Sequence, residues 1–366
     1  MSRRVYLHIG APKTGTTYVQ DRLRLNRGEL ADHDVHYPLG RLGLPSTHFK
    51  PALDLIDREW GGARADAQGA WDTLMRRVRR LDGTVVISHE ILAAATPEQV
   101  ARAINDLEGS EVHVVYTARD LARQLPAAWQ ESVKQFQKMP YKRFLKKVRT
   151  ESPSGSTFWF WRAQSIPDVL TRWGAPLPPE RVHLVTVPQP GAPRDLLWRR
   201  FCDVVGIDPG WAPNDSHRGN TSLGSAETTL VRRLNLRLRR AGLSRADHQA
   251  LVTELLVHQN LARRDSPTRT TLPPRMFEWV EDLTEKWISS LEGSHIDVVG
   301  DLEELRPVRP GPDGKWRDPD HPRRKDLLDV ALDGLVVMLR ETARRPDPDR
   351  SVGGRIRSVV RSARGR

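Results

Sequence analysis

Residues 8–17, His-Ile-Gly-Ala-Pro-Lys-Thr-Gly-Thr-Thr, concentrate the anion-binding chemistry of the chain. They follow an apolar run at 5–9 and precede a helical pattern. Backbone N–H groups converge at such a strand-to-helix turn, and the helix N-terminus favours negative charge. A nucleoside-triphosphate loop reads G-x-x-x-x-G-K-[ST]. Gly10 and Gly15 have that spacing and Thr17 fills the hydroxyl position, but the lysine position is Thr16 and the lysine stands inside the loop, at Lys13. A lysine there reaches across the loop mouth to an atom beyond the first phosphate. It does not run along a β–γ pair from the helix, and no acidic strand end stands out as a magnesium ligand. The pattern suits one cradled phosphate with a further group attached, handled without a metal.

Two other short segments carry reactive side chains. Ser88-His89-Glu90 follows the apolar run 84–88, which reads as a buried strand. In a parallel sheet the C-terminal strand ends face the ligand crevice, so His89 or Glu90 is placed to take a proton from a substrate. The pair is not a zinc motif, because the second histidine of H-E-x-x-H falls on Ala93. The third segment, Val-Val-Tyr-Thr-Ala-Arg-Asp at 114–120, ends a strand on Arg119. His48 lies in a His- and Pro-rich loop region, 33–51, where it reads as solvent-facing or as a contact to a second substrate.

The elements that must position these residues alternate. Strands are expected at 5–9, 84–88, 111–117 and 181–187, with a short one at 296–299. Helices are expected over 16–26, 70–81, 97–107 and 121–137, the third opened by Thr96, Pro97 and Gln99 as a capping box. Such alternation implies an α/β fold of three layers, α/β/α, around a central parallel sheet, with right-handed crossovers. Helical stretches at 225–240, 245–264 and 275–291 form a cap, about 225–292. The main domain spans 1–305, a Pro/Gly/Asp/Arg-rich linker spans 306–324, and a last helix and basic tail occupy 325–366. The Phe-Trp-Phe-Trp cluster at 158–161 and Trp129 read as core packing, with ring stacking on a ligand as the second choice.

Pro12, Lys13, Thr14, Gly15, Thr16 and Thr17 together resemble the 5′-phosphosulfate loop of sulfotransferases that use 3′-phosphoadenosine 5′-phosphosulfate (PAPS). The 114–120 segment resembles the strand end whose arginine, here Arg119, binds the 3′-phosphate in that family. The closest likeness is to bacterial, actinobacterial-type members. The resemblance implies a P-loop-like fold and an enzyme that moves a sulfuryl group from PAPS to an acceptor hydroxyl, or as second choice an amine, leaving 3′-phosphoadenosine 5′-phosphate (PAP). It implies that Lys13 neutralises the bridging oxygen as the bond breaks. Relatives use either His or Glu as base, with Glu90 preferred here over His89. Where the family carries a serine, eight residues after the arginine, this chain has Ala127, and Arg123, Gln124 or Ser132 on the same helix are the available substitutes. Arg218, Gly219 and Asn220 are a loose counterpart of the family's basic loop near the 3′-phosphate.

Composition narrows the alternatives. With 38% hydrophobic residues over 366 positions the chain can bury a full core, and a single cysteine, Cys202, excludes a disulfide framework. The net charge of +12 favours anionic partners, but six arginines and no acidic residue fall within 350–366. Half of the excess thus lies in the tail. Ile356, Val359, Val360 and Ala363 give that tail helical amphipathic spacing, suited to an anionic membrane surface and so to a lipid acceptor; a solvated tail is the plainer reading. No signal peptide or membrane span is visible, which implies a cytoplasmic protein, peripheral at a membrane at most. The acceptor can be a small molecule, a glycan or a lipid. A P-loop kinase or ATPase, or a non-enzymatic anion- or nucleic-acid-binding protein, are the competing classes. No nucleic-acid module is present.

Overall fold

The computed structural model describes residues 3–40, 48–58, 64–216, 223–265, 267–311 and 315–344. Six strands form one sheet in the order β2-β3-β1-β4-β5-β6, and every pairing is parallel. They are β1 (Arg4–His8), β2 (Val35–His36), β3 (Thr84–Ser88), β4 (Glu111–Ala118), β5 (Val182–Thr186) and β6 (Asp297–Val299). Both faces are covered, which is why the inner strands read as unbroken apolar runs. Leu7, Ile87, Val114 and Tyr116 pack on one side, against helices that include Ala70–Val78, Leu121–Lys134 and Ile166–Gly174. Tyr6, Val86, Val115 and Val185 pack on the other, against helices Thr16–Leu25 and Leu196–Val205.

The topology decides where a ligand can sit. Strand β1 has β3 on one side and β4 on the other, so chain connections leave it in opposite directions and a crevice opens beyond its C-terminal end. In register, His8 of β1 lies beside Ser88 of β3 and Val115 of β4. The three segments that follow these strands therefore start side by side.

Most expected elements are present, and the departures have local causes. The capping box forms, with Thr96 and Gln99 exchanging hydrogen bonds across the helix start. The cap stretch at 245–264 is not one α-helix; residues His248–His258 wind as a π-helix. Its buried positions are 248, 252, 253, 256 and 257. His248 is fixed to Asn235 Oδ1 (2.8 Å), and the Thr253 hydroxyl donates to the Lys134 carbonyl (3.0 Å). Those anchors suit the wider turn.

Helix Tyr141–Thr150 has no counterpart in the sequence reading, because its cap comes from far along the chain. The Asp320 carboxylate accepts from the N–H groups of Tyr141 (2.8 Å) and Lys142 (2.9 Å). The stretch 306–324 is thus fastened where it is described: Thr229 also donates to the Pro319 carbonyl (2.5 Å), and Arg306 pairs with Glu285. Asp320→Ala should cost about 2 kcal/mol of stability, since it removes a buried cap and leaves Arg232 without its carboxylate (3.7 Å). Urea denaturation measures this, and an unchanged midpoint would refute it. The last helix, Arg324–Arg344, docks through Val330 and Gly334 and leaves Leu328, Leu332, Leu335, Val336 and Leu339 exposed. Among the described residues no helix is long and apolar enough to cross a membrane.

Candidate functional site

The loop after β1 stays close to β4 before it turns. Ile9 N–H donates to the Val115 carbonyl (2.9 Å) and Ala11 N–H to Thr117 (3.0 Å). The Thr14 hydroxyl donates to the Ala11 carbonyl (2.6 Å), so it accepts from the Thr117 hydroxyl (2.6 Å). Two residues then adopt left-handed backbone, Lys13 (φ 72°) and Gly15 (φ 88°). A non-glycine residue held there is strained, and such strain collects at ligand-binding loops. Gly15 also has no room for a side chain: a Cβ would lie 2.4 Å from Leu197 Cδ2. Helix Thr16–Leu25 consequently starts on a glycine and has no side-chain cap. Its first N–H groups open into a cavity of about 1170 Å3.

That cavity joins the three reactive segments. Pro12–Thr17, then His89 and Glu90, then Arg119 all line it. The Arg119 guanidinium donates from Nε to Gln124 Oε1 (3.1 Å) and from Nη2 to the Arg123 carbonyl (3.1 Å). Burial, with Arg123 adding repulsion, lowers it to about 10, so it remains a cation at neutral pH. The Pro12 carbonyl accepts from the side-chain amides of both Gln124 and Gln164, which clamps the loop entrance.

No family model, no curated protein and no solved structure matches this chain. The site is therefore read from its own geometry.

Lys13 has a partner that the sequence reading did not include. Its ammonium lies 2.5 Å from Glu131 Oε2, and Lys134 lies 3.8 Å from the same oxygen. Burial pushes the Glu131 carboxyl up, but the two ammonium groups and the Gln135 amide outweigh it and bring it down to about 2. Glu131 holds the loop lysine on the cavity wall. A signal for it was available: Gln124, Ala127, Glu131 and Lys134 follow at helical spacing, so the helix face that carries Ala127 also carries this pair.

Several candidates sit elsewhere. Arg123 is not on the cavity. Its guanidinium pairs with Asp120 and donates to the carbonyls of Pro188 (3.0 Å) and Val187 (3.4 Å), so it straps the loop after β5 rather than offering donors to a ligand. Arg218, Gly219 and Asn220 lie outside the described residues. Of the substitutes for a hydroxyl at Ala127, Ser132 reaches the cavity, but its hydroxyl donates to the Trp129 carbonyl (2.7 Å). His48 is not solvent-facing, and it does not line the cavity: it is buried, donates to the Pro38 carbonyl (3.0 Å) and accepts at Nδ1 from Ser88 N–H (3.3 Å). Both of its ring nitrogens are used by the backbone. Phe158, Trp159 and Phe160 line the cavity, whereas Trp161 and Trp129 are buried, their indole N–H groups bonded to the carbonyls of Val148 and Met139.

His89 and Glu90 are distinguished by their hydrogen bonds. His89 caps the short helix that follows β3, accepting at Nδ1 from Ile91 N–H (3.3 Å). Burial lowers its pKa, so the neutral ring carries its proton on Nε2 and its lone pair is already engaged. Glu90 Oε2 accepts from the Gln20 amide (3.2 Å). The net shift of this carboxyl is downward: burial raises it, and hydrogen bonds from the Glu90 backbone and Gln20 together with the Lys13 ammonium draw it down. At neutral pH Glu90 is a carboxylate with lone pairs to spare, so by lone-pair availability, not by basicity, it is the open acceptor of the two.

Two buried histidines beneath the site make the fold acid-sensitive. His8, bonded at Nδ1 to the Ser88 hydroxyl (2.8 Å), and His48 are both lowered to about 4 by burial. The unfolded chain takes up these protons below about 6.5, the folded chain only near 4, so stability is full above 6.5 and falls as pH drops through that window. Between pH 7 and pH 5 the loss should approach roughly 4 kcal/mol for the two groups. Urea unfolding at both pH values tests this, and equal stabilities would contradict it. Among the described residues no group of three or more His, Cys, Asp or Glu is arranged to hold a metal ion.

Proposed function

We propose that this chain is a PAPS-dependent sulfotransferase with a P-loop-like donor site, transferring a sulfuryl group to an acceptor hydroxyl. The observation that carries the reading is the convergence, on one cavity at the switch point of a parallel sheet, of a glycine-turned loop bearing Lys13, the cation Arg119 and the carboxylate Glu90. The donor set fits the group. The uncapped helix start at Thr16 and Thr17 suits a phosphate, and Arg119 supplies a second positive site for a second phosphate.

Bound PAPS supplies the activated sulfuryl group. In this reading Lys13 lies against the bridging oxygen and stabilises the charge that collects there when the S–O bond to the phosphate breaks. Thr16 and Thr17 add hydroxyl and backbone donors. Glu90 takes the acceptor's proton as the new S–O bond forms, and His89 positions the turn that presents it. The chemistry asks for charge and alignment more than for covalent help, as in phosphoryl transfer. The Lys13–Glu131 pair gives the lysine a fixed resting place; the donor's anion competes for the same ammonium.

Thermal unfolding with PAP, ADP and Mg2+-ATP tests this. A ligand that binds only the folded state stabilises it by RT ln(1 + [L]/Kd), so saturating PAP should raise the midpoint more than the other two. A shift with Mg2+-ATP but not PAP would replace the reading by a kinase or ATPase. No shift with any of the three would leave a non-enzymatic anion binder.

A further inference from the structure

The last helix, Arg324–Arg344, is buried on one side only. Among the described residues six large apolar side chains are exposed, and five of them stand on this helix: Leu328, Leu332, Leu335, Val336 and Leu339, each 46% to 60% exposed. With 3.6 residues to a turn, the five fall within about 100° of one another around the axis. Val330 and Gly334, the buried positions, fall on the opposite side, where Gly334 lies against Leu256 and Leu230. Single exposed leucines need no explanation, but a contiguous stripe of them marks a contact surface.

The spacing says what kind of contact. The four leucines recur at intervals of four, three and four, which is the narrow seam of a coiled coil. The seam is also its own complement. Turned end over end about a point between 333 and 334, it sets Leu328 against Leu339 and Leu332 against Leu335 of a second copy. Lys325, the next seam position, then meets Thr342, whereas parallel alignment would set Lys325 against itself. Charge agrees. Antiparallel alignment brings Asp329 within about 3 Å, along the axis, of Arg340 on the same flank of the facing helix. Both side chains are exposed, and among the described residues neither has a partner. A lipid surface fits less well, because that flank carries Asp329 and Asp333, where an anionic membrane asks for cations.

We infer that this helix pairs antiparallel with the same helix of a second copy of this chain, about a two-fold axis between residues 333 and 334. Such a contact is isologous, so it closes as a dimer and does not propagate. No residue of the helix lines the donor cavity, and the inference stands apart from the sulfotransferase reading.

Sedimentation equilibrium of the full chain tests it. A seam of two heptads is a small interface, so a monomer–dimer equilibrium with dissociation in about the micromolar range is expected. Leu332→Asp and Leu335→Asp, at exposed positions, should each abolish the dimer and leave helical content and the urea midpoint of the monomer unchanged. Asp329→Arg and Arg340→Asp should each weaken association about tenfold, because an exposed ion pair counts about threefold and the two-fold axis repeats it. The double exchange should restore it. A chain that stays monomeric up to about 100 μM, a dimer that survives both leucine variants, or a double exchange that restores nothing overturns the inference. Cosedimentation of such a monomer with phosphatidylserine vesicles, lost in Leu332→Asp, would give the face to lipid instead.

Discussion

Lys13→Met should lower sulfuryl transfer by at least about 1000-fold and yet leave PAP binding within about tenfold of the unmodified protein. PAP lacks the sulfuryl group, so the charge that Lys13 stabilises when the bond breaks is absent from that complex. On the proposed reading the backbone N–H groups of the loop and Arg119 hold the phosphates in either protein. Structural damage is not a rival explanation. The left-handed backbone at residue 13 costs the unbranched side chains of Lys and Met about the same, and Glu131 keeps Lys134 and Gln135 as partners. Turnover near the unmodified rate in this variant would remove Lys13 from the chemistry. Loss of PAP binding equal to the loss of rate would make it a simple phosphate ligand.

The second large effect is on the base. Glu90→Gln should reduce the maximal rate by roughly 100- to 10,000-fold with little change in donor affinity, the range for loss of a positioned proton acceptor. The amide keeps the size of the side chain, and Gln20 can turn its own amide to meet it, so the site should remain assembled. His89→Ala should cost much less, because its ring is engaged by Ile91 N–H and caps a short helix. The reverse order, a large loss in His89→Ala and none in Glu90→Gln, would transfer the role to the histidine. Comparing the pH dependence of the two variants separates a proton acceptor from a group that only shapes the turn.

The elements that sequence alone made legible were those written by local rules. Buried parallel strands appear as short apolar runs, and Thr84–Ser88 was recognisable in full for that reason. Thr96, Pro97 and Gln99 announced a helix start because the capping box is contained within four residues. What escaped was written by distance. Strand β2 has two residues and no periodicity to detect. Helix Tyr141–Thr150 depends on Asp320 for its cap.

The site divides along the same line. The loop, the Ser88–Glu90 turn and Arg119 each follow a strand, and parallel topology alone brings strand ends together. Helical spacing puts Glu131 on the face of Ala127, but its pairing with Lys13 appears only once the loop has folded against that helix. For Arg123 position alone misleads: it lies three residues after Asp120, an ordinary helix-start pairing, and that carboxylate claims its guanidinium. His48 is buried rather than solvent-facing because two backbone groups, of Pro38 and Ser88, take up its ring nitrogens. Nothing in its neighbouring residues shows that.

Calorimetric titration with PAP and with ADP, in the presence of EDTA, tests the central claim most directly. The account predicts one PAP site per chain, affinity for ADP weaker by about tenfold or more because the 3′-phosphate is missing, and closure of that gap in Arg119→Met, which removes a charged partner of that phosphate. PAP and ADP binding alike, or an unchanged gap in Arg119→Met, would contradict the placement of the 3′-phosphate. No PAP binding at all would contradict the donor site.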